Sequence, residues 1–170
     1  MSSIEIVGKP DFPAREIKRL AATICKQEDP LHDYQISLKI VGSEEMRHYN
    51  RIYRGKDEST DVLSFVNSDI QIPPASQAGL SRPDTGCESH AKQESPALVM
   101  RLCDIIIDTN QLAKQMANRT FEEEFRTVLI HGLLHLVGYD HIRQQDIRIM
   151  KTKEEYYLKQ QQGEEISGRR

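Results

Sequence analysis

The segment His131-Gly132-Leu133-Leu134-His135-Leu136-Val137-Gly138-Tyr139-Asp140-His141 carries three histidines in the pattern H-x3-H-x2-G-x2-H. The four-residue spacing places His131 and His135 one turn apart on the same side of a helix. Gly138 can adopt the left-handed conformation that ends a helix, so the chain is predicted to turn back and bring His141 to the same point. Three imidazoles that converge with a fourth position open are typical of a catalytic zinc site. The sequence therefore predicts that these three histidines bind one zinc ion.

The helix that carries the first two histidines is predicted to lie at the centre of the fold. Thr120-Phe121-Glu122-Glu123 has the form of a capping box, which marks the start of a helix. Beyond Phe125 this helix is apolar almost all round, as expected of a buried helix. Its apolar residues are Val128, Leu129, Ile130, Leu133, Leu134, Leu136 and Val137. A rigid buried helix is a suitable mount for metal ligands.

Two other interpretations of the histidine pattern remain open at this point. The spacing equals that of the metzincin peptidases, but Gly132 occupies the position at which a peptidase carries its general-base Glu. Amide hydrolysis normally uses a base and proton shuttle there, which argues against a peptidase. A structural zinc site would need a fourth protein ligand. His48 or His90 could supply it from a distant part of the chain.

Composition predicts a single globular domain over residues 1–162, with a frayed tail over 163–170. Of the 170 residues, 38% are hydrophobic and 29% charged, as in ordinary globular proteins. No apolar run approaches the roughly 20 residues of a membrane span, and residues 1–8 do not resemble an export signal. Cys25, Cys87 and Cys103 are odd in number and far apart, so we expect a cytoplasmic protein with no disulfide-linked partner. The net charge of −3 gives no global attraction to nucleic acid, so any such binding must use a local patch.

Hydrophobic periodicity predicts alternating strands and helices along most of the chain. Residues 67–97 are rich in Ser, Pro, Gly and Gln, which indicates a long surface loop that is expected to be mobile. Cys87 and His90 form a C-x2-H pair in this loop, but with no second pair nearby they are interpreted as ordinary loop residues. Strands are predicted over 3–7, 33–41, 61–65 and 98–107, and helices over 14–26, 43–53, 108–117, 142–161 and from 120 onward.

A group of cations precedes the third predicted strand. Arg47, Arg51 and Arg54 recur at i, i+4 and i+7 and form one stripe on the second helix, and Lys56 follows closely. Such a stripe could bind phosphates, because Arg favours bidentate contact with them. On charge alone, a solvated helix face balanced by neighbouring acidic residues is the favoured interpretation.

Three blocks together resemble the YbeY family of bacterial metal-dependent endoribonucleases: YNRIYRGKDESTDVLSF (Tyr49–Phe65), Cys103-Asp104-Ile105, and the histidine segment. The resemblance implies an α/β (α+β) fold with a mixed four-stranded sheet, packed helices and a zincin-like metal-binding helix. It also implies cleavage of single-stranded RNA in maturation of the small-subunit ribosomal RNA 3′ end and in ribosome quality control. The implied partners are ribosomal RNA and the small ribosomal subunit or its proteins, with no membrane.

The resemblance also assigns roles to individual residues. His131, His135 and His141 match the family's metal-binding histidines, and Arg54 matches an arginine implicated in activity. Zinc lowers the pKa of its bound water toward neutrality, so that a hydroxide can attack the phosphate without the Glu that is absent here. Attack on the phosphate by a 2′-hydroxyl of the RNA is an equal alternative. The catalytic residues are thus predicted to be His131 and Arg54, and the substrate-binding residues Arg47, Arg51, Arg54 and Lys56.

Several features depart from the family pattern or stay ambiguous. The chain has Val66 where family members usually have Pro, Cys103 where they usually have Gly, and a longer loop over 76–97. Asp140 is equally compatible with orienting a ligand, acting as a base, or making a local backbone hydrogen bond. A non-catalytic, zinc-containing ribosome-assembly factor whose basic stripe docks RNA is the main alternative to a nuclease.

Overall fold

The computed structural model describes residues 2–72 and 98–167, with side chains described for 2–71 and 99–161. Nine elements follow one another along these residues. The strands are β1 (Ser3–Val7), β2 (His32–Val41), β3 (Val62–Ile72) and β4 (Leu98–Asp108). The helices are α1 (Ala14–Glu28), α2 (Ser43–Arg54), α3 (Thr109–Gln115), α4 (Phe121–Leu136) and α5 (Gln144–Ser167). None of these helices is long and apolar enough to span a membrane.

The four strands form one mixed sheet in the order β1-β2-β4-β3. β1, β2 and β4 run parallel, and β3 pairs antiparallel with β4 at one edge. This confirms the predicted α+β fold with a mixed four-stranded sheet and packed helices, whereas the zincin-like character of the metal helix stays a prediction.

The helices cover both faces of the sheet. Successive residues of a strand point to opposite faces. Ile105 and Ile107 belong to the main core with α1 and α4, whereas Ile106 packs in a second cluster with Leu63 and Met46 of α2. Helix α2 therefore lies on the opposite face of the sheet from α4, the helix that carries the first two histidines.

Helix α4 starts and packs as its sequence predicts. The Thr120 hydroxyl accepts from the Glu123 backbone N–H at 3.2 Å, and the Glu123 carboxylate accepts from the Thr120 N–H at 2.8 Å, which completes the capping box. Gly132 faces the sheet, where an added Cβ would lie 3.3 Å from Val62 Cγ2 and 3.5 Å from Ile105 Cγ2. The glycine therefore lets the helix approach β3 and β4 closely.

Two predicted boundaries are wrong. β3 continues to Ile72, so residues 67–72 belong to a strand and not to the predicted loop. The prediction failed because these residues are polar and lack the hydrophobic alternation of a strand. Their backbone nevertheless pairs with β4 after a bulge between Val66 and Ser68. Helix α5 continues through most of the predicted frayed tail, to Ser167. The rest of the predicted mobile loop, with Cys87 and His90, and residues 168–170 lie outside the described residues.

Candidate active site

The three predicted metal ligands converge at the C-terminal end of α4. Nε2 of His131 lies 3.1 Å from Nε2 of His135, and one ring nitrogen from each of the three histidines lies within 4.8 Å of the others. Gly138, with φ of 98°, makes the left-handed turn that returns His141 to the cluster. The Tyr139 N–H then donates to the carbonyl of Leu134 at 3.0 Å and closes the end of the helix.

Hydrogen bonds at the opposite ring nitrogens determine which atoms face the centre. Nδ1 of His135 lies 2.9 Å from the carbonyl oxygen of Tyr139, and because a carbonyl can only accept, this nitrogen must be the donor. Nδ1 of His131 lies 2.6 Å from Oε1 of Glu154 on α5. Both Nε2 atoms are therefore left with a lone pair directed at the centre, the arrangement found in metal-binding histidines.

The donor set fits a zinc ion. The two Nε2 lone pairs are 3.1 Å apart and repel each other unless a cation lies between them. Two nitrogen ligands of a tetrahedral zinc ion, with Zn–N bonds of about 2.05 Å, are about 3.3 Å apart, which is close to this distance. Burial lowers the pKa of His135, and the adjacent His131 lowers it further, although the Tyr139 carbonyl opposes the shift. The imidazole is thus kept neutral at pH 7, the form that binds a metal.

The turn that carries His141 is tied to two helices through Glu28. This carboxylate at the end of α1 accepts hydrogen bonds from the Tyr139 hydroxyl at 2.6 Å, from Lys153 Nζ at 2.8 Å and from the Tyr157 hydroxyl. Partial burial alone would raise the pKa of Glu28, but the bonds from Lys153, Tyr139 and Tyr157 outweigh it and the pKa is lowered. The charged Glu28 therefore holds α1, α5 and the turn together.

Sequence analysis missed Glu28, Lys153 and Glu154 as supports of the site. They lie in charged, helical stretches in which no residue is distinguished by a motif. Glu154 is 23 residues from its partner His131, and Lys153 is 125 residues from Glu28. Because no local pattern encodes such pairs, only the packing of α1 and α5 against α4 identifies them.

The cluster is open on one side. The side chain of His141 is 59% exposed, and within the described residues the cluster has three members and no fourth His, Cys, Asp or Glu. Asp140 accepts from the backbone N–H of His141 at 2.7 Å, and its carboxylate is 4.0 Å from His141 Nδ1, too far for a hydrogen bond. This supports the local backbone role for Asp140. His48 is not a fourth ligand, and His90 lies outside the described residues.

The basic stripe divides into engaged and free side chains. Arg47 makes a bidentate ion pair with Asp57, at 2.9 and 2.6 Å, and Arg51 lies 3.5 Å from the His48 ring nitrogen. Arg54 and Lys56 are exposed, and neither makes a side-chain hydrogen bond or ion pair with another described residue. The structure places the stripe on α2, which packs on the opposite face of the sheet from α4.

A buried network fixes the segment 55–61 that links α2 to β3. Gly55, with φ of 69°, ends α2, and Asn50 Nδ2 donates to the Glu58 carbonyl at 2.8 Å. Ser59 donates to Asp108 Oδ2 at 2.6 Å, while the other oxygen of this fully buried carboxylate caps α3. β3 then begins at Val62, which contacts Gly132 of α4. The segment thus runs from the α2 face of the sheet to the edge beside α4.

Comparisons with known protein sequences agree on one family. The sequence profile described as "Endoribonuclease YbeY" matches residues 6–162. The endoribonuclease YbeY of Leptospira interrogans is 36% identical over 130 residues, which cover 76% of this chain and 88% of that protein. The endoribonuclease YbeY of Neisseria meningitidis serogroup B is 36% identical over 142 residues, 82% of this chain and 71% of that protein. The solution structure of TM1509 from Thermotoga maritima shares the fold, with a TM-score of 0.56, 24% identity and coverage of 98% and 94% of the two chains.

Proposed function

Since this chain belongs to the YbeY family of endoribonucleases, we propose that it is a zinc-dependent enzyme that cleaves single-stranded RNA in maturation of the small-subunit ribosomal RNA 3′ end. In this proposal it acts in the cytoplasm, also in ribosome quality control, with ribosomal RNA and the small ribosomal subunit or its proteins as partners. The observation that carries the proposal is the convergence of His131, His135 and His141.

The protein groups around the centre have separate tasks. Glu154 and the Tyr139 carbonyl keep the Nε2 atoms of His131 and His135 directed inward. The exposed His141 leaves one side accessible to a polyanionic substrate. When bound, zinc supplies a Lewis acid that activates water at neutral pH, so a carboxylate base next to His131 is not required.

The two alternatives to a nuclease receive less support. A peptidase base at position 132 is absent, and the Cβ position there is directed at Val62 and Ile105. A purely structural zinc normally has four protein ligands, whereas the described residues provide three. We therefore favour hydrolysis over the assembly-factor function and leave the latter as an outcome of the experiment below.

Arg54 is the cation proposed to neutralise the phosphate. Its side chain is exposed and has no acidic partner among the described residues, in contrast to Arg47, which Asp57 already neutralises. An unpaired guanidinium retains its full charge and all its donors for a phosphate. Lys56 and Arg51 are close to it in sequence and would add to the local positive potential.

The test is cleavage of a precursor small-subunit ribosomal RNA 3′ fragment by wild type and Arg54→Glu. We expect the rate to fall on the order of 100-fold in Arg54→Glu, because a group that stabilises transition-state charge is lost and a negative charge replaces it. Arg15→Glu, the same charge reversal at an exposed position of α1, is the matched control and should cleave like wild type. Zinc content is measured in all three proteins.

Each outcome has a distinct meaning. Cleavage by wild type and Arg15→Glu but not by equally zinc-loaded Arg54→Glu supports both nuclease chemistry and the role of Arg54. Equal cleavage by all three proteins contradicts a role for Arg54. If wild type does not cleave, the assembly-factor function becomes the better explanation of the zinc-binding cluster.

A further inference from the structure

We propose that Tyr53 and Phe65, flanked by Arg54 and Lys56, form a surface on which the bases of single-stranded RNA stack. We call these four residues the aromatic–basic surface. Its rings lie on the α2 side of the edge strand β3. The inference rests on the proposed function, since RNA is taken as the substrate, and it deepens that function by naming base stacking as a mode of substrate recognition.

The rings form a continuous row from α2 to β3. The centroids of Tyr49 and Tyr53 are 6.2 Å apart with an interplanar angle of 20°, and those of Tyr53 and Phe65 are 4.7 Å apart at 40°. Tyr49 is held in place by Lys39 and by Glu45. Each ring is therefore supported by its neighbour, as in the rigid aromatic platforms on which nucleic-acid bases stack.

Most of the Tyr53 ring remains accessible to a ligand. Its side chain is 59% exposed, and its hydroxyl makes no hydrogen bond with any described residue. Ile52 beside it is 58% exposed, so this end of α2 presents apolar surface to solvent. A large ring held on a neighbouring ring with most of its area in water has a surface available for a ligand.

The charges around the rings match a polyanion. Arg54 is adjacent to Tyr53 in sequence, and Arg54 and Lys56 have no acidic partner among the described residues. Cations near a helix C-terminus are also favourable to the helix itself, but that effect does not account for exposed aromatic rings beside them. Stacked rings combined with cations that follow a phosphate backbone are the two components of non-specific single-strand binding.

The surface and helix α4 both pack against the edge strand β3. Val62 contacts Gly132 of α4, and Phe65 is three residues further along β3, or roughly 10 Å at 3.3 Å per residue. Among the described residues β3 pairs with β4 alone, so its other side is an edge of the sheet. Asp104 of β4 is the direct cross-strand neighbour of Phe65, and its carboxylate would repel phosphates on that side of the ring. A phosphate backbone on the rings is therefore expected to lie toward α2 and the edge of β3, away from Asp104.

The experiment compares two fluorescein-labelled 2′-O-methyl 12-mers of equal charge, one with bases and one abasic, by fluorescence anisotropy. Wild type is expected to bind the base-bearing probe more tightly, and Tyr53→Leu should lose about 10-fold of that preference because stacking on a ring is removed. The conservative Tyr53→Phe keeps a ring and should retain the preference. Tyr156→Leu, the same change at a 50% exposed tyrosine of α5, is the matched control.

Lys56→Gln separates phosphate contacts from stacking. It should weaken binding of both probes by the same factor and reduce the salt dependence of binding by about 0.7 in log–log slope. Circular dichroism and zinc content show whether each variant is folded. The inference is overturned if wild type binds both probes equally, or if folded Tyr53→Leu binds the base-bearing probe like wild type.

Cleavage assayed in parallel separates this inference from the proposed function. If wild type cleaves RNA, and Tyr53→Leu binds and cleaves it as well as wild type does, the stacking surface is overturned and the nuclease function stands. If wild type prefers the base-bearing probe, Tyr53→Leu lacks this preference, and wild type does not cleave RNA, the result supports the stacking surface and contradicts the nuclease function.

Discussion

His131 presents Nε2 to the candidate metal centre because its other ring nitrogen is held 2.6 Å from a carboxylate oxygen of Glu154. Such partners fix the orientation of the ring and raise its basicity as a ligand, and their loss typically weakens metal binding. At the scale of single residues, Glu154 is therefore the side chain outside the histidine motif that, within the described residues, hydrogen-bonds a predicted metal ligand.

We expect Glu154→Ala to weaken zinc binding by about 10- to 100-fold. Glu154→Gln should have a smaller effect, because its amide oxygen can still accept from Nδ1 of His131. Zinc affinity is measured by competition with a chromophoric chelator. Glu155→Ala, at an exposed neighbouring position of α5, serves as control, and unchanged affinity in Glu154→Ala would contradict the proposed role.

At the scale of elements, α4 shows how closely local sequence and structure agree. Its capping box and the Gly138 turn at its end were both predicted from spacing and are both present. The capping box and the glycine turn can be predicted from sequence because each forms hydrogen bonds with backbone groups only a few residues away. In strand β3 local sequence and structure disagree. Residues 67–72 are extended because β4 supplies their backbone hydrogen-bond partners, although their polar composition is typical of a loop.

We expect Thr120→Ala to lower the stability of the protein by about 1 kcal/mol, since the hydroxyl that accepts from the Glu123 N–H is lost. For a protein of this size the melting temperature should fall by about 2–4 °C. Thr120→Ser retains the hydroxyl and should melt close to wild type, and zinc content should be the same in all three proteins. A melting temperature for Thr120→Ala equal to that of Thr120→Ser would show that the cap adds nothing.

At the scale of the whole molecule, Asp29 joins one helix to three strands. It follows α1 and accepts from His32 at 2.7 Å, from the Tyr34 hydroxyl at 2.6 Å and from Arg101 of β4 at 2.8 Å. Arg101 also pairs with Asp69 of β3 at 3.2 Å. Partial burial alone would raise the pKa of Asp29, but the bonds from His32 and Tyr34 and the charge of Arg101 outweigh it and the pKa is lowered.

This lowered pKa gives a pH dependence with a definite sign. The stabilisation by ionised Asp29 is fully present above the carboxyl's ordinary pKa of 3.8 and is lost as the pH falls through the lower pKa of the folded state. Asp29→Asn should therefore be less stable than wild type at neutral pH, and the difference should shrink at about pH 3. Urea unfolding of the zinc-free proteins measures it.

Asp11→Asn, a change at an exposed carboxylate, is the matched control for this measurement and should follow wild type at every pH. The assignment to Asp29 would be contradicted by a stability difference between wild type and Asp29→Asn that stays constant from neutral to acidic pH.

The sequence by itself determined the order of strands and helices, the start and end of α4, and the three histidines that converge at one point. Each of these depends on contacts between residues close in the chain. Only the tertiary structure decided that Glu154 and Glu28 support the site, that α2 lies across the sheet from α4, and that Tyr53 meets Phe65. These relations join residues far apart in sequence, and their geometry exists only once the helices have packed on the sheet.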